Sequence, residues 1–204
     1  MIAWIDTETI GLLDQLCPEG LLEIAVVVTD DDLNVLGQFE RTFHFVLPEH
    51  LRDVALRGQP RMVHQTQTSP LVPGEYVFDM HSKNNLWVEC DASEYTHSFI
   101  DQALVDWMMY LLGAEKGTVV AGGANIASFD RRWLEVALPR FNDFLHYRNV
   151  DMSTLKTMVR MWSGGDIGNP PAGRGLHRAM PDILDTIDLA RFYRDHFFKQ
   201  RSIK

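Results

Sequence analysis

Three apolar or β-branched runs open the chain: Met1–Asp6, Leu21–Thr29 and, approximately, 38–46. Runs of this length and composition read as strands. The second and third are separated by Asp30-Asp31-Asp32-Leu33-Asn34, which looks like a hairpin turn. The opening therefore predicts an antiparallel three-strand meander. The pattern then changes. Thr118–Ala121 and Asn149–Met152 look like two shorter strands, and helical periodicity alternates with them. Phe99, Ile100, Ala103, Leu104, Trp107, Met108, Leu111 and Leu112 recur at helical spacing and predict an amphipathic helix over about 94–112. Phe129–Leu138 predicts a second helix, stopped by Pro139. Leu155, Met158, Val159 and Trp162 mark a third, and Ile183, Leu184, Ile187, Ala190 and Phe197 a last one from about Pro181 to Phe198. Strands first, then helix and strand in alternation, indicate an α/β fold with a central mixed five-stranded sheet flanked by helices.

A chain of 204 residues can bury one substantial core, so a single domain over 1–204 is expected. Two stretches break the pattern. An irregular excursion over 48–75 mixes Pro, Gln, Thr, Arg and His, and the Gly- and Pro-rich 163–175 reads as a loop. No apolar run reaches the length of a membrane span. The opening Met1-Ile2-Ala3-Trp4-Ile5 has no basic segment and reads as a strand, not a signal peptide. Cys17 and Cys90 lie far apart without a CxxC pair and are expected as reduced thiols. A cytoplasmic protein without a membrane partner is the expectation. The formal net charge of −9 argues against a long nucleic-acid track, which needs basic side chains. It leaves room for a small site in which metal ions supply the positive charge.

Three motifs carry candidate chemistry. In Asp6-Thr7-Glu8, alternation along a strand puts both carboxylates on one face, and Gly11 then lets the chain turn. Paired carboxylates repel, and a hard divalent cation with oxygen ligands relieves that repulsion. Asp130 follows a strand and opens a helix, where a carboxylate suits the positive helix end. In His177-Arg178-Ala179-Met180-Pro181-Asp182, Pro181 suits the first helical position. Asp182 then sits in the first turn, with His177 on the loop before it. Each motif alone is more often a solvated strand end or a helix-start acid. The ordered set D-x-E, D, H-x₄-D is far more specific, because strand ends and helix starts gather at one sheet edge. Four convergent acids with two divalent ions make a phosphoryl-transfer site.

These motifs resemble those of the DEDDh 3′–5′ exonucleases. Asp6-Thr7-Glu8-Thr9-Ile10-Gly11-Leu12 is similar to the first exonuclease motif, Asn125–Asp130 to the second and His177–Asp182 to the third. The chain is more specifically similar to oligoribonuclease through Leu22-Glu23-Ile24-Ala25, 130–134, 146–156 and 192–197. The resemblance implies an RNase H-like fold, two Mg²⁺ or Mn²⁺ ions, a homodimer and very short single-stranded RNA substrates. It implies Asp6, Glu8, Asp130 and Asp182 as metal ligands, direct or through water, and His177 as general base. It further implies substrate contacts from Leu12, His81, Tyr147, Arg148 and Ser153, with Tyr147 reaching across the dimer. Two positions depart from the family pattern. Ile126 stands where a serine helps cap the 5′ phosphate, and Phe129 stands where oligoribonucleases have glutamine. The departures predict a blunted preference for dinucleotides, to be sharpened by Ile126→Ser.

The expected reaction is hydrolysis of the 3′-terminal phosphodiester, releasing a nucleoside 5′-monophosphate with His177 as proton acceptor. Two alternatives remain open on the sequence. One is a broader 3′–5′ exonuclease acting on single-stranded DNA or RNA ends. The other is a catalytically inactive nucleic-acid-binding module, against which the full set of acids and histidine argues.

Overall fold

The structure, a computed structural model, describes residues 1–49, 51–52, 73–166 and 168–198. Most of the expected 48–75 excursion lies outside the described residues. One five-stranded sheet organises the fold, with strands β1 (Ile2–Thr9), β2 (Leu21–Thr29), β3 (Val35–Thr42), β4 (Val120–Gly123) and β5 (Asn149–Asp151) in the order β3-β2-β1-β4-β5. The β1–β2 and β2–β3 pairs are antiparallel, and β1–β4 and β4–β5 are parallel. The mixed sheet matches the expected pattern: short connections can only reverse a strand, whereas parallel neighbours need helical crossovers. In the β2–β3 turn, Asp30 Oδ1 accepts from the N–H groups of Asp32 and Asn34 at 2.9 and 2.8 Å, and Leu33 adopts φ +63°.

Seven α-helices surround the sheet among the described residues. They are α1 (Glu75–Lys83), α2 (Leu86–Ala92), α3 (His97–Asp106), α4 (Asp130–Ala137), α5 (Pro139–Phe144), α6 (Met152–Trp162) and α7 (Ala179–Phe197). Two cores lie on opposite faces of the sheet. Ala3, Ile5, Ile24, Val26 and Val28 point to one with Phe78, Trp87, Ile100, Leu104, Trp133 and Phe141. Trp4, Ala25 and Val27 point to the other with Met152, Val159, Ile183, Ile187 and Tyr193. Burial on both faces explains why every residue of β2 is buried.

Several expectations are corrected. Helices α1 and α2 were not legible, because their few buried side chains give no sustained period. The predicted 94–112 helix ends at Asp106 and continues as a π-turn, Trp107–Leu111. The extra residue in such a turn rotates the chain beyond it, so Met108 is buried while Leu111, expected inside, is exposed. Phe99 and Trp162 are likewise exposed. Pro139 does stop α4, but it also opens α5, where its missing N–H costs nothing. The 163–175 segment carries no helix or strand at its described residues. Cys17 and Cys90 are free. No helix among the described residues is long and apolar enough to cross a membrane.

Candidate metal and nuclease site

The face occupied by Trp4 leads to the site. Alternation along β1 carries Asp6 and Glu8 to that face, and α7 packs over it. Asp182, in the first turn of α7, is thereby brought to the same place. Ligand atoms from Asp6, Glu8 and Asp182 all lie within 4.8 Å of one another.

Asp130 arrives from the opposite side. Helix α4 packs in the Ile5 core, and Thr7 points towards that core. The buried Asp130 carboxylate accepts from the Thr7 N–H at 3.1 Å and from Thr7 Oγ1 at 2.8 Å, both on Oδ1. Asp130 thus flanks the three-acid cluster and is not one of its members. Thr7, the middle residue of the D-x-E motif, is a positioning residue that spacing alone did not identify.

The electrostatics of the cluster are adverse. Burial, followed by the charges of Asp130, Glu8 and Asp182, pushes the Asp6 carboxyl well above the usual range. Burial and the neighbouring Glu23 and Asp182 push Glu8 to about 8, against an opposing effect of Arg178. Burial raises Asp130 despite the Thr7 hydrogen bonds, and burial raises Asp182 despite the nearby His177. The nearby cations offset this only in part: Arg178 acts on Glu8 but is engaged by Glu23 and Glu89, and His177 and Arg174 act on Asp182, whose carboxyl still lies above its usual range. The oxygen-only donor set therefore fits a hard divalent cation.

His177 lies on the loop before α7, exposed, with φ +50°. Its carbonyl accepts from Asn84 Nδ2 at 2.5 Å. The loop that carries His177 leads directly into the first turn of α7, which carries Asp182.

The expected substrate contacts divide. Leu12 is 68% exposed at the end of β1, and Tyr147 is 74% exposed just before β5. Tyr147 stacks on His146 at 4.4 Å between centroids, and the Arg148 guanidinium lies 5.3 Å from its ring. Ser153 is half-buried in the first turn of α6, where its N–H donates to Asp151 at 2.9 Å. Among the described interactions, none links these four residues to the acids.

His81 departs from expectation. It is fully buried on α1, with no surface to offer a substrate. Its Nε2 donates to the Thr9 carbonyl at 3.2 Å and stands 3.8 Å from Glu8 Oε2. Burial lowers its pKa to about 4, so this is a neutral contact that braces the end of β1 and not an ion pair. Ile126 is also corrected. It is wholly buried in the core against Gly123. The exposed hydroxyl of that turn belongs to Ser128.

Sequence reasoning also missed Glu23, Arg178, Asn84 and Glu89, which form a hydrogen-bonded network behind Glu8. A signal was present: Glu23 is the sole charge in the run 21–29, and a charge within a buried strand demands a partner.

Known proteins place this arrangement. The chain is 31% identical over 201 residues to the oligoribonuclease of Neisseria meningitidis serogroup A, covering 96% of this chain and 91% of that one. It is 32% identical over 199 residues to the oligoribonuclease of Chromobacterium violaceum, covering 97% and 96%. No family model matches. Among solved structures, the fold is similar to exonuclease I from Methylocaldum szegediense, with TM-score 0.60, 16% identity and 96% of this chain covered. It is also similar to the zinc-bound E. coli exonuclease I–ssDNA complex, with TM-score 0.58, 17% identity and 96% covered. This chain spans about 40% of the first of these and 41% of the second. The likeness to exonuclease I supports the RNase H-like fold expected from the motifs. With just over 30% identity along nearly the full length of these bacterial enzymes, the chain belongs to the oligoribonuclease family.

Proposed function

We propose that this protein is a 3′–5′ exonuclease that hydrolyses short single-stranded RNA to nucleoside 5′-monophosphates. The observation that carries the reading is the convergence of Asp6, Glu8 and Asp182 within 4.8 Å. Asp6, Glu8 and Asp182 would hold divalent cations, Mg²⁺ or Mn²⁺ and two in number, with Asp130 acting from the flank. When bound, such ions supply Lewis-acid stabilisation of the charge that builds on phosphoryl and leaving-group oxygens.

The residues of the chain supply the rest. His177, on the loop before Asp182 and open to solvent, accepts the proton of the attacking water. Thr7 fixes Asp130, and His81 fixes the carbonyl of Thr9, so the middle of the D-x-E segment and the residue after it are each tied to a helix. Leu12 offers an exposed apolar side chain against which a terminal base can pack. Tyr147 and Arg148 offer an aromatic face and a cation to bases and phosphates, and Ser153 lies at the start of α6 near them. The exposure of Tyr147 suits the family's homodimer, in which it would reach the neighbouring site.

The test is cleavage of 5′-phosphorylated RNA and DNA oligomers of increasing length with Mg²⁺, Mn²⁺ or EDTA. Release of nucleoside 5′-monophosphates from short RNA, abolished by EDTA, is expected. Equal activity on long DNA would replace this reading with a broader exonuclease, and binding without cleavage would reduce it to a binding module.

A further inference from the structure

Glu23 is a carboxylate of the same sheet face that lies outside the three-acid cluster. It pairs with Glu8 across the β1–β2 ladder and is fully buried. A buried carboxylate needs charged and hydrogen-bonded partners. Arg178 meets it with Nη2 at 2.6 Å from Oε1 and Nε at 3.1 Å from Oε2, and the Ala179 N–H donates to Oε2 at 2.9 Å. The same guanidinium reaches outward. Nη1 and Nη2 donate to the two oxygens of Glu89 on α2, at 2.9 and 2.5 Å, and Nη1 donates to the Asn84 carbonyl at 3.4 Å. Asn84 returns a hydrogen bond from its side chain to the carbonyl of His177.

The segment His177-Arg178-Ala179 is therefore tied to β2 on one side and to the α1–α2 junction on the other. His177 needs that support. Its φ of +50° is a left-handed conformation that a residue with a Cβ adopts at a cost and keeps only when its surroundings impose it. A planar fork with five donors can serve two carboxylates and a carbonyl at once, which a lysine cannot. We propose that Arg178 is a positioning residue for the reaction: by bridging Glu23, Glu89 and Asn84 it holds the His177 backbone in the left-handed conformation that sets the direction of the imidazole. The inference rests on the reading of His177 as general base.

The experiment compares wild type, Arg178→Lys and the double variant Arg178→Met/Glu23→Gln, which leaves no uncompensated buried charge. A urea melt of each establishes that it folds, and if the double variant does not, Arg178→Lys and Glu89→Gln carry the test. Rates are measured on a five-nucleotide single-stranded RNA with Mn²⁺, with and without His177→Ala in the background. The expected result for the double variant is a fall in kcat of roughly 10-fold or more, out of the roughly 10²–10⁴-fold that a general base contributes. KM should stay within about twofold of wild type, as for an interaction made only in the transition state. Arg178→Lys should regain part of the loss. In the His177→Ala background the double variant should cost nothing further, because the two act through one group. The ring-proton NMR line missing from His177→Ala should shift or broaden in the double variant. Wild-type kcat in a folded variant, or losses that multiply with that of His177→Ala, would overturn the proposal. If His177→Ala itself keeps wild-type kcat, the general-base reading fails. The positioning of His177 is then judged on its NMR line alone, and an unmoved line overturns it.

Discussion

In the metal-free protein Glu8 is a group whose proton is held by the fold. Its ordinary pKa of 4.5 rises to about 8, chiefly through burial and then through Glu23 and Asp182. Between those values the folded state binds more protons than the unfolded chain, so stability is lost as pH rises through the window. Asp6 and Asp182 are displaced in the same direction and add to the slope. Melting temperature in EDTA should therefore fall from about pH 5 to about pH 8. Glu8→Gln should flatten part of that fall, melting above wild type at the alkaline end. The same substitution should lower kcat/KM by roughly 10²–10⁴-fold, the equivalent of several kcal/mol of lost charge stabilisation. A wild-type pH profile of stability in Glu8→Gln would show that its carboxylate is not part of the strained cluster. Ile126 makes the opposite point. Because it is wholly buried, Ile126→Ser places a hydroxyl in the core and should cost about 2–4 kcal/mol in a urea titration. Dependence on RNA length from two to seven nucleotides should not change in the way a restored phosphate cap would require.

Helix starts hold much of the site, and their caps are specific. Asp151 caps α6 by accepting from the N–H groups of Ser153 and Thr154, which fixes the segment that carries Ser153. Asp101 does the same at a distance in sequence. Buried on α3, it accepts from the N–H of Arg140 at 3.1 Å and of Phe141 at 2.8 Å, at the start of α5. The residue before this helix, Leu138, has no side-chain acceptor to supply that cap. Asp101→Ala should cost about 1–3 kcal/mol in a chemical melt, since it leaves two helix-start donors, the Phe141 N–H buried, without their acceptor. Asp101→Asn keeps one acceptor oxygen and should lose less. Equal stability of Asp101→Ala and wild type would show that α5 is held by packing alone.

At the scale of the whole molecule, the acidic cluster is expected to couple stability to cation binding. A cation that binds only the folded state stabilises it by about 2.7 kcal/mol at 100 times its Kd, so Mn²⁺ should raise the melting temperature of wild type and far less that of Asp182→Asn. Assembly is the second prediction at this scale. Light scattering at micromolar concentration should give the mass of a dimer. Mixed dimers in which one subunit carries Tyr147→Ala and the other His177→Ala should regain activity relative to either variant alone. A monomer, or mixtures no more active than their components, would place all of the site within one chain.

The meander was legible from local physics: strand runs and the Asp30 turn specify it, because period and turn chemistry are properties of neighbouring residues. The four candidate acids and His177 were legible for a similar reason, since each sits at a strand end or helix start that its own neighbours define. The irregular helices α1 and α2 were not legible, since burial of a few side chains such as Phe78 and Trp87 is decided by their packing partners. The same limit applies to direction. Alternation showed that Asp6 and Glu8 share a face, but only the packing of α7 and α4 on opposite faces of the sheet placed Asp182 in the cluster and Asp130 against Thr7. Tertiary structure alone turned Ile126 and His81 into the interior, and it alone joined Glu23 to Arg178, 155 residues apart, because burial and long-range pairing depend on which surfaces meet.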